Sequence, residues 1–163
     1  MSASAERIRL DVIRPTLQKM GLWSESAEEL LLMTAAHESG GFVHRRQIGG
    51  PALGIFQMEP ATHDDIWEHY LIARSYLRAS IRAVIPIGTI PKAEYMETSD
   101  PYACAMARAH YRRVSEPLPD AGDLGGMAAY AKRHWNTPAG AATPQKYLDA
   151  YRRHVLDAAA QGG

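Results

Sequence analysis

The chain has 163 residues, with 46% hydrophobic and 22% charged residues, a length and balance suited to one globular domain with a substantial core. Eighteen Lys+Arg offset eighteen Asp+Glu, so no overall basic field draws nucleic acid or anionic lipid. The single cysteine, Cys104, excludes an internal disulfide framework and a Cys-rich zinc site, and points to folding in a reducing compartment. No run of about 18 apolar residues is present to span a bilayer. One domain over residues 1–163 is expected, as a monomer without a nucleic-acid partner or stable membrane association.

The N-terminus lacks the basic-then-apolar order of a signal peptide, since Glu6, Arg7 and Arg9 interrupt it. A substrate outside the cytosol would then need another agent to bring the protein to it. Ile8, Val12, Ile13, Leu17 and Met20 recur at helical spacing, with Pro15 predicted to kink or split the segment. Ser26-Ala-Glu-Glu29 reads as a capping box opening a helix with Leu31, Thr34, Ala35 and Glu38 on one face, stopped by Gly40-Gly41. Residues 41–61 are rich in Gly and Pro and predict a loop. Thr62 is expected to cap the next helix, with Asp64 and Asp65 complementing its dipole, and the pattern continues through Ile66, Leu77 and Val84 to Pro86. After a second loop over 86–99, Asp100-Pro101 predicts a helix start, and that helix runs to about Val114. A short helix around Met127–His134 and a last one opened by Thr143-Pro144, with Tyr147, Leu148, Tyr151 and Val155 inward, complete the chain. No alternating strand of useful length occurs, so the expected fold class is all-α.

Glu38 carries the most chemistry. It ends an apolar helix, on the face that bears Leu31 and Ala35. Burial and the carbonyl end of a helix both disfavour an anion and raise a carboxyl pKa. A general acid working near neutral pH needs that. The competing reading is a solvated Glu in a frayed last turn. In the loop that follows, Gln57 stands between Phe56 and Met58, where it must find polar partners, either a ligand or the backbone. No phosphate-binding glycine motif occurs. His37-Glu38 suggests a zinc-protease helix, but Gly41 stands where the second His is needed. Ser39 lacks a nucleophile-elbow sequence, and Cys104, between Ala103 and Ala105, reads as an inert buried residue. The other histidines show no ligand spacing, so neither a metal nor a cofactor is expected. Tyr130, among small residues, offers a hydroxyl at close approach, and Trp135 with Asn136 and Thr137 reads as a sugar-contact loop or as an ordinary core aromatic and turn.

Glu38-Ser39-Gly40-Gly41, then Gly54-Ile-Phe-Gln57-Met-Glu-Pro60-Ala-Thr62, then Ala128-Ala-Tyr130, resemble in order and spacing the three signatures of the soluble lytic transglycosylase family. That family sits with goose-type lysozymes among lysozyme-like proteins. The match spans residues 26–155, and His134-Trp-Asn-Thr-Pro-Ala-Gly resembles phage-encoded members of the endolysin or virion-associated type. The resemblance implies a lysozyme-like domain with Glu38 as catalytic acid/base. It also implies that Ser39 and Gln57 bind substrate, with the Tyr130 hydroxyl beside the carboxyl. Two departures stand out: the Ser that usually precedes the Gly-rich loop falls near Ile48 or Gly49, and the Asn after the family's Tyr is Ala131.

The implied partner is bacterial peptidoglycan, cleaved between N-acetylmuramic acid and N-acetylglucosamine. Between Glu38 and Gln57 the chain has no Asp or Glu. A hydrolytic glycosidase ordinarily uses two carboxyl groups, so one dominant carboxyl suits a transglycosylase giving 1,6-anhydro products. Two alternatives remain: a hydrolytic muramidase recruiting Glu59 or Asp65, and an inactive peptidoglycan-binding or virion module. The expected location is the host cytoplasm until release to the cell wall, or a phage particle.

Overall fold

Pro15 shapes the first helical run. The computed structural model describes residues 1–85, 88–136 and 140–157, and in it α1 (Ala3–Arg7) and α2 (Arg14–Lys19) are joined by a π-helical stretch over Ile8–Ile13. A proline ring lacks the N–H for the i→i−4 bond and collides with the preceding turn. The wider π turn just ahead absorbs the misfit. The run is therefore widened rather than split, and Ile8, Ile13 and Leu17 stay fully buried.

α3 (Glu25–Glu38) begins two residues earlier than the expected capping box. Ser24, in extended conformation, accepts the Ala27 N–H at 3.0 Å, and Ser26 lies inside the first turn. Its other end is as expected: Gly40 and Gly41 take φ of 63° and 83°, and the Gly41 N–H closes on the Ala36 carbonyl. A Cβ on Gly41 would sit 2.5 Å from the His154 ring, so glycine is required there for space as well as for φ.

Among the described residues the loop that follows holds only isolated antiparallel bridges, Arg46 with Leu53 and Leu53 with Met58. Bidentate pairs from Arg45 to Asp100 and from Arg46 to Glu97 fasten it to the neighbouring helices. α4 (Pro60–Asp65) then starts after Glu59, so Thr62 lies within the helix and does not cap it. The expected uninterrupted helix from there to Pro86 is also corrected. A π turn (Ile66–Tyr70) and a 3-10 turn (Leu71–Ala73) end at Arg74, whose φ of −127° and ψ of 73° break the run before α5 (Ser75–Arg82). Pro86 itself is outside the described residues.

The second loop contains the short α6 (Tyr95–Thr98). α7 (Asp100–Arg112) is capped by Ser99, which frees Asp100 for Arg45. α8 (Leu124–Ala131) continues into a π turn over Lys132–Asn136, and α9 (Pro144–Tyr151) is capped by Thr143 and continues over Arg152–Leu156. The fold is thus α-dominated, with α3 packed against α7, α8 and α9. One contiguous core draws residues from Ala5 to Val155. Tyr102, Tyr111, Tyr130 and Tyr147 are its largest fully buried side chains. Each hydroxyl has a defined partner: His63, Thr34, the Glu116 carbonyl and Glu38 respectively. Cys104 is fully buried and its thiol pKa is pushed up by desolvation, as expected of an inert residue.

A second carboxylate, Glu28, is buried at the start of α3 and held by Arg14 through two 2.8 Å bonds and by the Trp23 indole at 2.7 Å. Desolvation opposes its charge, but these donors win and keep its pKa below the usual range. Glu28→Ala strands both donors and should cost about 2 kcal/mol, given that Arg14 is partly solvated. Urea denaturation at neutral pH checks this. The penalty should shrink in acid, where the wild-type carboxyl loses its charge as pH falls through its folded pKa.

Candidate active site

Ser39 sets the position of Glu38. Its hydroxyl donates to the Ala35 carbonyl at 2.6 Å and accepts the Phe42 N–H at 2.6 Å. The side chain is fully buried. Ser39 therefore closes the turn after α3 and has no surface to offer a substrate, which corrects the sequence expectation. That turn is built from three consecutive left-handed residues, Gly40, Gly41 and Phe42.

Glu38 ends α3 at the edge of a cleft of about 510 Å³. One carboxylate oxygen accepts a 2.8 Å hydrogen bond from the Tyr147 hydroxyl, and among the described residues no cation pairs with either oxygen. Desolvation dominates, the Tyr147 bond counteracts it only in part, and the carboxyl pKa is raised from 4.5 to about 7. The phenol beside the acid is thus Tyr147, on α9, and not Tyr130. The Tyr130 hydroxyl is spent on the Glu116 carbonyl at 2.9 Å, and its ring packs on Tyr111 and His134. Tyr147 in turn is stacked against His37 at 4.2 Å.

Gln57 lines the same cleft as Glu38. It adopts φ of 52°, unusual for a residue with a Cβ. Its amide donates to the Gly54 carbonyl at 2.8 Å, which orients the side chain while no described protein group takes the amide oxygen. Gly54 allows this tight loop: a Cβ there would meet the Met96 carbonyl at 2.5 Å.

The opposite wall is aromatic. Trp135 is wedged against Phe56, His110 and Tyr111 at centroid distances of 6.3, 4.7 and 5.2 Å. His110 is buried, and desolvation depresses its pKa to about 4. Being neutral, it donates from Nε2 to the His134 carbonyl and accepts from Arg113 at Nδ1. Trp135 is therefore held edge-on by a ring with no free valence. Asn136 also faces the cleft, its oxygen accepting from Lys132; Thr137 lies outside the described residues.

Gln47, Glu59 and Thr62 complete the polar lining; the sequence offers Glu59 only as the base of the alternative muramidase and gives no signal for Gln47 or Thr62 as site residues. Gln47 is masked by a loop with no periodicity, and Thr62 was assigned to a cap. Asp65, a candidate base, is occupied by Arg113 at 2.7 Å and His69 at 3.0 Å and does not line the cleft. The cleft as a whole offers one carboxyl poised at neutrality, a second carboxyl, several amide and hydroxyl groups, and an immobilised indole. That set suits proton transfer to and from a polar, multiply hydroxylated ligand. In comparisons with protein-family models, curated proteins and solved structures, the chain matches none.

Two outcomes test the electrostatics. The folded protein keeps the Glu38 proton in the window from 4.5 to about 7, where the unfolded chain has released it, so stability falls as pH rises through that window. Glu38→Gln should therefore change little at pH 4 and stabilise the protein by up to about 3 kcal/mol above pH 8. A pH-independent difference in denaturation would contradict a buried acid. In carboxyl-carbon NMR titrations, Tyr147→Phe should raise the Glu38 pKa further and Tyr130→Phe should leave it unmoved.

Proposed function

We propose that this protein cleaves the glycan strand of bacterial peptidoglycan between N-acetylmuramic acid and N-acetylglucosamine, as a lytic transglycosylase in a lysozyme-like domain. The observation that carries the reading is Glu38: a carboxyl with pKa of about 7, without a cationic partner among the described residues, at the edge of an open cleft. The signatures around Glu38, Gln57 and Tyr130 supply the resemblance, and the amide-rich lining with Trp135 fits a sugar chain.

In this mechanism the protonated Glu38 gives its proton to the glycosidic oxygen as the bond to C1 breaks. The acetamido oxygen of the same sugar stabilises the cationic C1. Glu38, now ionised and steadied by the Tyr147 hydroxyl, removes the proton from the C6 hydroxyl, and O6 closes on C1 to give the anhydro ring. A pKa near 7 serves both halves of the cycle. Ser39 acts here by holding the end of α3, while Gln57, Trp135 and Asn136 bind the glycan. On this reading the protein resides in the host cytoplasm until its release to the cell wall, or travels in a phage particle.

Glu59 favours a second reading, because it lines the same cleft as Glu38. As a base it would activate water and make the protein a hydrolytic muramidase. Asp65 is a poor base, being committed to Arg113 and His69.

Glu38→Gln should lower the rate on purified peptidoglycan by about 10²–10⁴-fold with the fold intact. Wild-type turnover should fall as pH rises through about 7, where the acid loses its proton. Mass spectrometry of the soluble products separates the two readings. Anhydro ends one water lighter, with Glu59→Gln nearly as active as wild type, support transglycosylation. Free reducing ends with Glu59→Gln inactive would establish the muramidase, and a Glu38→Gln variant within a few-fold of wild type would sink both.

A further inference from the structure

Arg108 is the anomaly of the fold. It sits on α7 at 8% exposure, and a guanidinium stays charged even when buried. Of its five donors, the only hydrogen bond to a described residue is a long 3.4 Å one from Nε to the Leu22 carbonyl. The groups that face it are Arg112, Tyr130, Tyr70 and Cys104, with no carboxylate among them. Several less buried arginines are matched with acids: Arg14 with Glu28, Arg45 with Asp100, Arg46 with Glu97, Arg113 with Asp65 and Arg133 with Glu116. The most buried arginine has no acid partner among the described residues, and such a charge is costly to hold unpaired.

Arg108 lines a recess of about 140 Å³ together with Arg112, Tyr111, Ser115, Glu116 and Tyr130, room for roughly four or five waters. Arg112 follows Arg108 by one helical turn, is exposed, and has no ion pair among the described residues. The one carboxylate in the lining, Glu116, is already committed through both oxygens to Arg133 and His134. The Tyr130 hydroxyl is likewise occupied. Arg112 also borders a larger groove of about 640 Å³ that carries Arg74 and the exposed Tyr76.

We propose that this recess binds a compact oxyanion, a phosphate or carboxylate group, seated on Arg108 and Arg112, with the rest of its carrier lying along the groove past Arg74. The anion supplies the countercharge that the fold omits, and two guanidinium groups offer charge-assisted hydrogen bonds to it. The site is separate from the Glu38 cleft and independent of the reaction proposed there.

The test uses the whole chain, titrated with inorganic phosphate or with acetate at constant ionic strength held by sodium chloride. The Arg108 Nε–Hε resonance is followed by NMR and Tm by calorimetry. Binding predicts a saturable shift of that resonance and a rise in Tm. The anion that saturates at lower concentration identifies the group as phosphate or carboxylate. Arg112→Gln should weaken binding about tenfold, and Arg108→Met, similar in length, should remove the response. An unmoved Arg108 resonance, or an equal Tm response in wild type and Arg112→Gln, would overturn the proposal and leave Arg108 as a water-solvated tie to Leu22. The wild-type resonance and Arg112→Gln decide the matter even if Arg108→Met fails to fold.

Discussion

The hydrogen bond from Tyr147 to Glu38 joins side chains 109 residues apart, and the organisation of the site follows from it. It ties α9 to the end of α3, so the last helix of the chain sets the environment of a carboxyl near its start. Desolvation by this packing raises the carboxyl pKa, and the phenol's hydrogen bond tempers the effect. A basic residue in the place of Tyr147 would hold Glu38 ionised and end its use as an acid. A purely apolar one would leave the carboxylate unsupported after proton donation.

Positioning depends on a second set of constraints. Ser39 spends its only hydroxyl within the turn, and Gly41 leaves space for the His154 ring. Together they fix where α3 stops, hence where the acid points. Across the cleft, neutral His110 bridges Arg113 and the His134 carbonyl while packing on Trp135. The Asp65–Arg113 ion pair anchors that bridge. The acid is thereby kept clear of cations while the wall opposite is built on them. Charge in this molecule is balanced in sum but unevenly placed: Arg14, Arg45, Arg46, Arg113 and Arg133 are matched to acids at structural joints, while Arg108 and Arg112 at the recess have no acid partner among the described residues.

Local signals in the sequence were sufficient for what depends on neighbours in the chain. The Gly40-Gly41 stop, the Thr143 cap, the inward residues of α9 and the loop after Glu38 all appear as expected, since spacing and φ preference decide them. The raised pKa of Glu38 was also legible, because desolvation on an apolar helix face acts on the residue itself. Boundaries were less so: Ser24 rather than Ser26 caps α3, and Thr62 lies inside α4, because several cap-competent residues stand in a row and tertiary packing selects one.

Only the tertiary structure could decide which tyrosine reaches the acid. Tyr130 and Tyr147 are equally buried phenols in the sequence pattern of an inward helix face, and nothing in the spacing ranks them. The answer rests on how α8 and α9 pack on α3, which sends one hydroxyl to the Glu116 carbonyl and the other to Glu38. The same reason hid Gln47, which reaches the cleft through loop geometry, and made Ser39 a turn-closing residue. The sequence by itself determined the helices, their polarity and the residue capable of acid chemistry; which groups meet that residue is a property of long-range packing, where side chains far apart in the chain compete for the same few partners.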